Sequence, residues 1–374
     1  MQHWLRGNQP DYELVSSSFM GGMMKGTVKP IKSLLLILIF FLISIAMVGA
    51  TGQDEAGSEA GTSDGPEFTF RAAGTVTANI DYIQKLYYGF ADKVEEYSEG
   101  RIKVDLYLGT LGGEREVLEM LQQGLIEVTL ISDSTYSIFE PKWGIMDLPF
   151  FISTREEAQQ FTDGEGGEKL SELMISRGFR VLAYADNGMR QVSNSVHEIR
   201  VPEDLKGLKI RIPENPAISD WFRSVGADPT IIPFPELFPA LQQGVADGQE
   251  NSMVIGSLLH MDEVQKFWTD TNHDYSSIPI AINENVWQSL PEDLQVVVKR
   301  AAKEAAADSR SAFGQAEIDS IEAMKAGGMQ ITLLSPEERH KYDITAKPIW
   351  KKYSKEFGDD FMDWAFDLVG KEWQ

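Results

Sequence analysis

Arg211 stands in the run Asp204–Asn215, "DLKGLKIRIPEN", where Leu208, Ile210 and Ile212 alternate with Lys209 and Arg211. That period is the period of a strand with one apolar face, and Gly207 and Pro213 punctuate its ends. A guanidinium presents two parallel donors that match a carboxylate. On the face opposite the isoleucines, Arg211 either stands in water or meets an anion in a cleft, and alternation alone leaves both open. Other reactive patterns are scarce. The five histidines, His3, His197, His260, His273 and His340, have no metal-ligand spacing, and no H-E-x-x-H, G-x-S-x-G, P-loop or G-x-G-x-x-G occurs. "GTLGG", residues 109–113, opens a helix and could hold an anion on its backbone amides, or be a plain turn. Carboxylates are so abundant that spacing cannot single out a glycosidase pair. The chain has no cysteine, which excludes disulfides, zinc thiolates, iron–sulfur clusters, thiol catalysis and a lipid-modified N-terminal cysteine. No metal site and no cofactor are expected.

The elements that would position Arg211 follow from periodicity. Glu67–Ala73 reads as a short strand. A hydroxyl-rich loop follows, then a helix capped by Asn79 or Asp81, with Ile83, Leu86, Tyr87, Phe90, Ala91 and Val94 at helical spacing and Gly100 at its end. "RIKVDLYL" alternates as a strand, "GTLGGEREVLEMLQQG" turns into a helix with Glu114 and Glu116 in its first turn, and "LIEVTLIS" is an apolar strand. This βαβαβ order predicts an α/β fold with a mostly parallel sheet and crossover helices. "LQQG" recurs at Leu121–Gly124 and Leu241–Gly244, each time closing a helix before a strand-like run, which favours two lobes of similar build. From Pro291 a long helix is expected, with a Ser289–Glu292 capping box. It would run roughly 50 Å if unbroken, or form two helices with a break near Gly314.

With 374 residues the chain can build two lobes with sizeable cores. Its formal charge of −23 argues against nucleic acid as a partner, while a local basic pocket remains compatible with an acidic surface. Lys25, Lys29 and Lys32 flank an apolar run, Leu34–Val48, ending in Val48-Gly49-Ala50. This is the pattern of an export signal, the alternative being an uncleaved anchor. Residues 51–66 are small and acidic, as in a flexible leader.

Several stretches resemble one family. "NGMRQVSNSVHEIRVPEDLKGLKIRIP", "GADPTIIPFPELFPALQQGVADGQEN" and "LPEDLQVVVKRAAKEA", with "LGGEREVLEMLQQG" and "DLPFF", are similar to solute-binding proteins of tripartite ATP-independent periplasmic (TRAP) transporters, in the sialic-acid and C4-dicarboxylate branch. The resemblance runs from about Phe68 to the C-terminus. It implies a two-lobed, monomeric periplasmic receptor whose long helix spans both lobes. The lobes would be 67–187 with 277–316, and 188–276 with 317–374. Such a receptor would bind a small organic acid (a sugar acid, keto acid or dicarboxylate) and hand it to TRAP membrane subunits, with no catalysis. By the same resemblance Arg211 grips the ligand carboxylate, Arg190 helps to orient it, Asn251 is a hinge-side polar contact and Phe234 an aromatic wall. Ser132, Asp133 and Thr77 are selectivity candidates. Ser132 and Asp133 fall where sialic-acid members carry glutamate, which argues against sialic acid. Pro239 and Ser252 depart from the usual pattern. Two other readings stand beside this one: an exported carbohydrate-active enzyme using two carboxylates, and a ligand-presenting subunit of a sensor kinase.

Overall fold

The computed structural model describes residues 65–77 and 80–374. The export signal, most of the acidic leader and the candidate cap Asn79 lie outside the described residues. In chain order the first half holds β1 (Phe68–Gly74), α1 (Asp81–Tyr97), β2 (Ile102–Leu108), α2 (Glu114–Gln123) and β3 (Val128–Leu130), then α3 (Arg155–Asp163) and α4 (Glu165–Ile175). A long strand β4 (Phe179–Asn194) leads to β5 (Lys209–Ile212), α5 (Pro216–Ser224), β6 (Asp228–Ile231), α6 (Leu237–Gln242), β7 (Gly248–Asn251) and α7 (Met253–Leu258). The chain returns along β8 (Phe267–Asn283) through α8 (Glu284–Ser289) to α9 (Glu292–Ala326). It ends in β9 (Gln330–Thr332), α10 (Pro336–Asp343), α11 (Lys347–Phe357) and α12 (Asp359–Leu368).

The strands form one nine-stranded sheet in the order β2-β1-β3-β8-β4-β7-β5-β6, with β9 on β8. β1 pairs in parallel with β2 and β3, and β5 pairs in parallel with β6 and β7. Each half is therefore a βαβαβ unit with its first strand in the middle, an order predicted for the first half. The two "LQQG" stretches close α2 and α6 at equivalent points, before β3 and β7. The parallel sets are joined by β4 and β8, antiparallel to each other over most of their length. The sequence did not announce these two strands. Three register shifts interrupt their pairing, and each shift inverts the side-chain phase.

The predicted stripe of α1 is buried in full, together with Tyr82. The helix starts after Ile80, which provides no side-chain cap, so Asp81 is its first residue rather than its cap. α9 is one unbroken helix of 35 residues, about 52 Å at ~1.5 Å per residue. It packs along α1 and β4 and also on α7. Buried Ala301, Ala302, Ala305 and Ala306 allow the close approach. Gly314 does not break it; the Arg155 guanidinium lies 3.3 Å from where a Cβ would stand. The expected capping box is not formed. Ser289 ends α8 and its hydroxyl donates to the Val286 carbonyl at 2.7 Å, while Pro291 precedes α9 without a side-chain cap. A short helix had already claimed the serine. At the C-terminus, α11 and α12 bridge the structure. Trp350 Nε1 donates to the Pro149 carbonyl, Phe366 packs on Phe151, and α11 also contacts α5.

Candidate functional site

The lining of one pocket comes from the C-terminal ends of the parallel strands of both halves. Thr75 and Val76 follow β1 and Ser132 follows β3; Arg211 and Pro213 come at the end of β5, Phe234 after β6, and Asn251 closes β7. Asn187 and Arg190 on β4 and Ile278 on β8 add to it, with Tyr87 of α1 and Glu114, the first residue of α2. In α/β sheets ligands bind outside these carboxyl ends, where strand order reverses. The space is about 440 Å³ including its open mouth.

Arg211 points into this pocket and not into bulk water. Leu208, Ile210 and Ile212 are buried on one face of β5, and Arg211 on the other is only 1 % exposed. Its Nε donates to the Ile232 carbonyl at 2.7 Å. Among the described residues no hydrogen bond occupies its two terminal nitrogens. Burial brings its pKa down to about 10, partly offset by Glu114 and Glu250 nearby, so it stays charged at neutral pH. A buried guanidinium with two unpaired donors is costly, and an incoming carboxylate would satisfy both at once.

Arg190 is buried beside it but differently employed. Its Nε and Nη2 donate to the Glu250 carboxylate at 2.5 and 2.7 Å, Nη2 also to the Glu250 carbonyl at 2.9 Å, and Nη1 to Asn251 Oδ1 at 3.3 Å. Burial works against the charge of Glu250, but Arg190 and His273 hold its carboxyl below the ordinary range. His273 Nε2 stands 3.4 Å from Glu250 Oε2, and burial pushes the imidazole pKa down. The pairing partner of Arg190 is thus an internal carboxylate on the neighbouring strand.

Asn251 and Phe234 are both in the lining, as is Ser132. Pro239 lies in the first turn of α6, where its missing N–H breaks no helical bond. The structure does not bring Asp133 or Thr77 to the pocket. Thr77 is exposed, and its near neighbours Thr75 and Val76 take that place. Asp133 faces inward, accepting from Ser276 Oγ at 2.9 Å and from Ser277 N and Oγ at 3.0 and 2.6 Å. It acts one step back from the lining. Ser276 Oγ receives Asn187 Nδ2 at 3.1 Å and lies 3.0 Å from Ser132 Oγ. Sequence reasoning missed Glu114 as a pocket residue, reading it only as a first-turn acid, and missed Tyr87 because it lies in an apolar stripe. It also missed the Arg190–Glu250 pair, whose members are sixty residues apart.

Asn187 reaches the pocket because of a bulge. Asp186 pairs with Ser277 and Gly188 with Ser276, leaving Asn187 as the extra residue. The two crossing points expected at Asn187–Gly188 and Ser276–Ser277 are therefore neighbours in the sheet. Gly188 has φ +98°, and a Cβ there would stand 2.7 Å from the Phe313 ring. Both facts require glycine.

Around this core the carboxyls of Asp133, Asp147 and Asp274 are buried, and burial raises their pKa values, that of Asp133 to about 6. On Asp133 the folded state therefore holds a proton that the unfolded chain releases between about pH 4 and 6. Stability falls as pH rises through that window, and the protons held on Asp147 and Asp274 carry the fall further up. For Asp133 alone the loss is roughly 3 kcal/mol. The unfolding midpoint is expected to be higher at pH 5 than at pH 7.5 in a thermal melt; a midpoint that rises toward neutral pH would contradict the buried-carboxyl account.

An α/β sheet of two equivalent halves facing each other across an arginine pocket defines a ligand-binding protein. Residues 73–356 match the family described as bacterial extracellular solute-binding protein, family 7, and the chain belongs to that family. A "solute-binding protein" of Verminephrobacter eiseniae is 34 % identical over 296 residues, covering 78 % of this chain and 88 % of the relative. A TRAP periplasmic solute-binding protein from Polaromonas sp. JS666, solved with D-erythronate, is 31 % identical with a TM-score of 0.76, covering 80 % of this chain and 98 % of its own. One from Sulfurospirillum deleyianum, solved with succinate, is 29 % identical with a TM-score of 0.76, covering 81 % and 99 %. The resemblance seen in the sequence motifs and the α/β fold with its long helix are borne out.

Proposed function

We propose that this chain is an extracytoplasmic receptor that binds a small organic acid between two lobes and presents it to the membrane subunits of a TRAP transporter. The observation that carries this reading is Arg211, buried and charged, with two terminal nitrogens free to take a carboxylate. Its setting supports the reading further, since the pocket draws on strand ends of both halves. The family is an extracellular one, and the periplasm is where such a receptor would meet its carrier. Among the described residues no helix is long and apolar enough to cross a membrane. No reaction is proposed. Glu114 is the one carboxylate in the described lining, and hydrolysis by paired carboxylates needs two.

The lobes of this reading are 67–187 with 277–316, and 188–276 with 317–374. They close about the β4–β8 crossing at Asn187–Gly188 and Ser276–Ser277. The bulge at Asn187 supports a bend there, and α9 runs behind it as a stiff brace. Ligand touching both halves favours the shut state by its differential affinity, and closure strengthens the Arg211–carboxylate attraction by removing water. Small-angle scattering tests this. The radius of gyration is expected to fall when a tight acid ligand saturates the protein. An unchanged radius at saturation would replace lobe closure with a rigid pocket.

A further inference from the structure

Buried negative groups around the pocket outnumber the buried cations. Behind the lining, Asp133 heads the short helical turn Asp133–Ile138, Asp147 follows the turn Pro141–Ile145, and Asp274 lies on β8. None of the three is more than 2 % exposed. Glu250 on β7 and Glu114 on α2 are buried with them. All five carboxyls feel the same guanidinium, Arg190 on β4. Arg190 forms its ion pair with Glu250. Among the described residues Asp133, Asp147, Asp274 and Glu114 form none. Arg211, the second buried cation, has Glu114 and Glu250 nearby.

Asp147 and Asp274 are the least satisfied of these groups. Asp133 at least accepts from Ser276 and Ser277. Asp274 accepts no hydrogen bond among the described residues, and its Oδ1 is buried without a partner. The Ser137 hydroxyl and the Asn215 amide lie near Asp147 without a well-formed hydrogen bond. Asp147 Oδ2, Ser137 Oγ and Asn215 Nδ2 are all buried and unpartnered. The charge that Asp274 feels most is Asp147. Two like charges close together in a dry site disfavour each other, and burial raises both carboxyls well above the usual range. The other titratable groups around them supply no cation. Burial keeps His273 neutral and Tyr136, Tyr184 and Tyr275 in the phenol form. Tyr353 of α11 donates to Asp220 at 2.8 Å.

We propose that this protein takes up a proton from solvent as its organic acid binds, and that the Asp147–Asp274 pair holds it. A ligand carboxylate on Arg211 also draws on Arg190, which keeps an Nη1 N–H free in the same lining. The positive field of Arg190 is what offsets the buried carboxyls, so a further anion beside it leaves them less compensated. One proton, moved from water to a carboxylate oxygen of the pair, restores the balance. The proposal rests on the organic-acid reading above and adds a second bound species to it. The ligand's charge favours the protonated pair, so affinity is highest at low pH and falls as pH rises through the range where the unliganded pair deprotonates. Neither partner of the carboxylate contact produces this effect. The acid, with its own pKa near ~4, is ionised throughout, and Arg211, at about 10, keeps its proton below pH 8.

Calorimetry in paired buffers of different ionisation heat counts the protons. The probes are D-erythronate, galactonate and succinate, each found with a solved relative. For an acid that binds, an average uptake of about a quarter of a proton or more is expected between pH 6 and 8, with a dissociation constant that rises about threefold or more over that range. Asp147→Asn and Asp274→Asn are each expected to remove the uptake and flatten the pH profile. Undiminished uptake in both variants would put the proton elsewhere and overturn the assignment. Infrared difference spectra of the wild type need no variant: the band of a protonated carboxyl is expected to grow on binding, and no growth would contradict the proposal. Binding without proton uptake would overturn it while leaving an organic-acid receptor standing. If none of the three acids binds, the organic-acid reading falls and the proposal with it.

Discussion

Arg211→Lys is expected to weaken binding of the acid by about tenfold to more than a hundredfold while the fold survives. The range follows from losing one charge-assisted hydrogen bond, roughly 1.5–3 kcal/mol. Lysine keeps the charge but presents a point cation on a flexible stem, so it cannot make two parallel bonds. It also loses the Nε donor that ties the side chain to the Ile232 carbonyl, which fixes where the fork points. Calorimetry measures the affinity, and circular dichroism checks that the secondary structure is unchanged. Native affinity in the lysine variant would remove Arg211 from the site.

Gly188→Val is expected to be among the most damaging single changes in the chain. The residue has φ +98°, and its Cβ position lies 2.7 Å from Phe313 and 3.1 Å from Ser252. A β-branched residue in that region costs roughly 1–3 kcal/mol in backbone strain. Forcing extra atoms against the fully buried Phe313 ring costs a further ~1–3 kcal/mol. The sum is a loss of about 2–6 kcal/mol, read in denaturant unfolding as a lowered midpoint at an unchanged slope. Because the bulge aims Asn187 into the pocket, any folded fraction should also bind more weakly. A variant with the parent's midpoint would show that the strand has another way through, and that the bulge is not obligatory.

How much of this was legible in the sequence depends on how local the signal is. The first βαβαβ half was legible because it rests on short-range periodicity, and α1 buries the stripe its spacing predicts; the second was signalled only by the repeated "LQQG". Arg211 was half legible. Alternation showed that it opposes Ile210 and Ile212, but β5 is buried on both faces from Ile210 onward, and covering is a tertiary fact. β7 was expected as a strand from its place after the second "LQQG", but its burial was illegible. Gly248, Gln249, Glu250 and Asn251 are all buried without one apolar side chain among them, and the side chains of Gln249, Glu250 and Asn251 bond to Ser193 and Arg190 on β4, which no window contains. Asp133 and Thr77 fall outside this lining. A one-residue change of phase turned Asp133 to Ser277 while Ser132 kept the lining. The Ser289 cap failed because α8 is too short for periodicity to reveal.

The most direct test of the central claim is a pair of titrations on the wild-type protein, using an acid that binds and its neutral primary amide. The two differ at the group Arg211 is held to grip. The acid is expected to bind with at least tenfold higher affinity, since the amide cannot accept two parallel hydrogen bonds from the guanidinium and brings no charge to offset its burial. Equal affinity for acid and amide would mean that no carboxylate sits on Arg211, and the account of this site would be wrong.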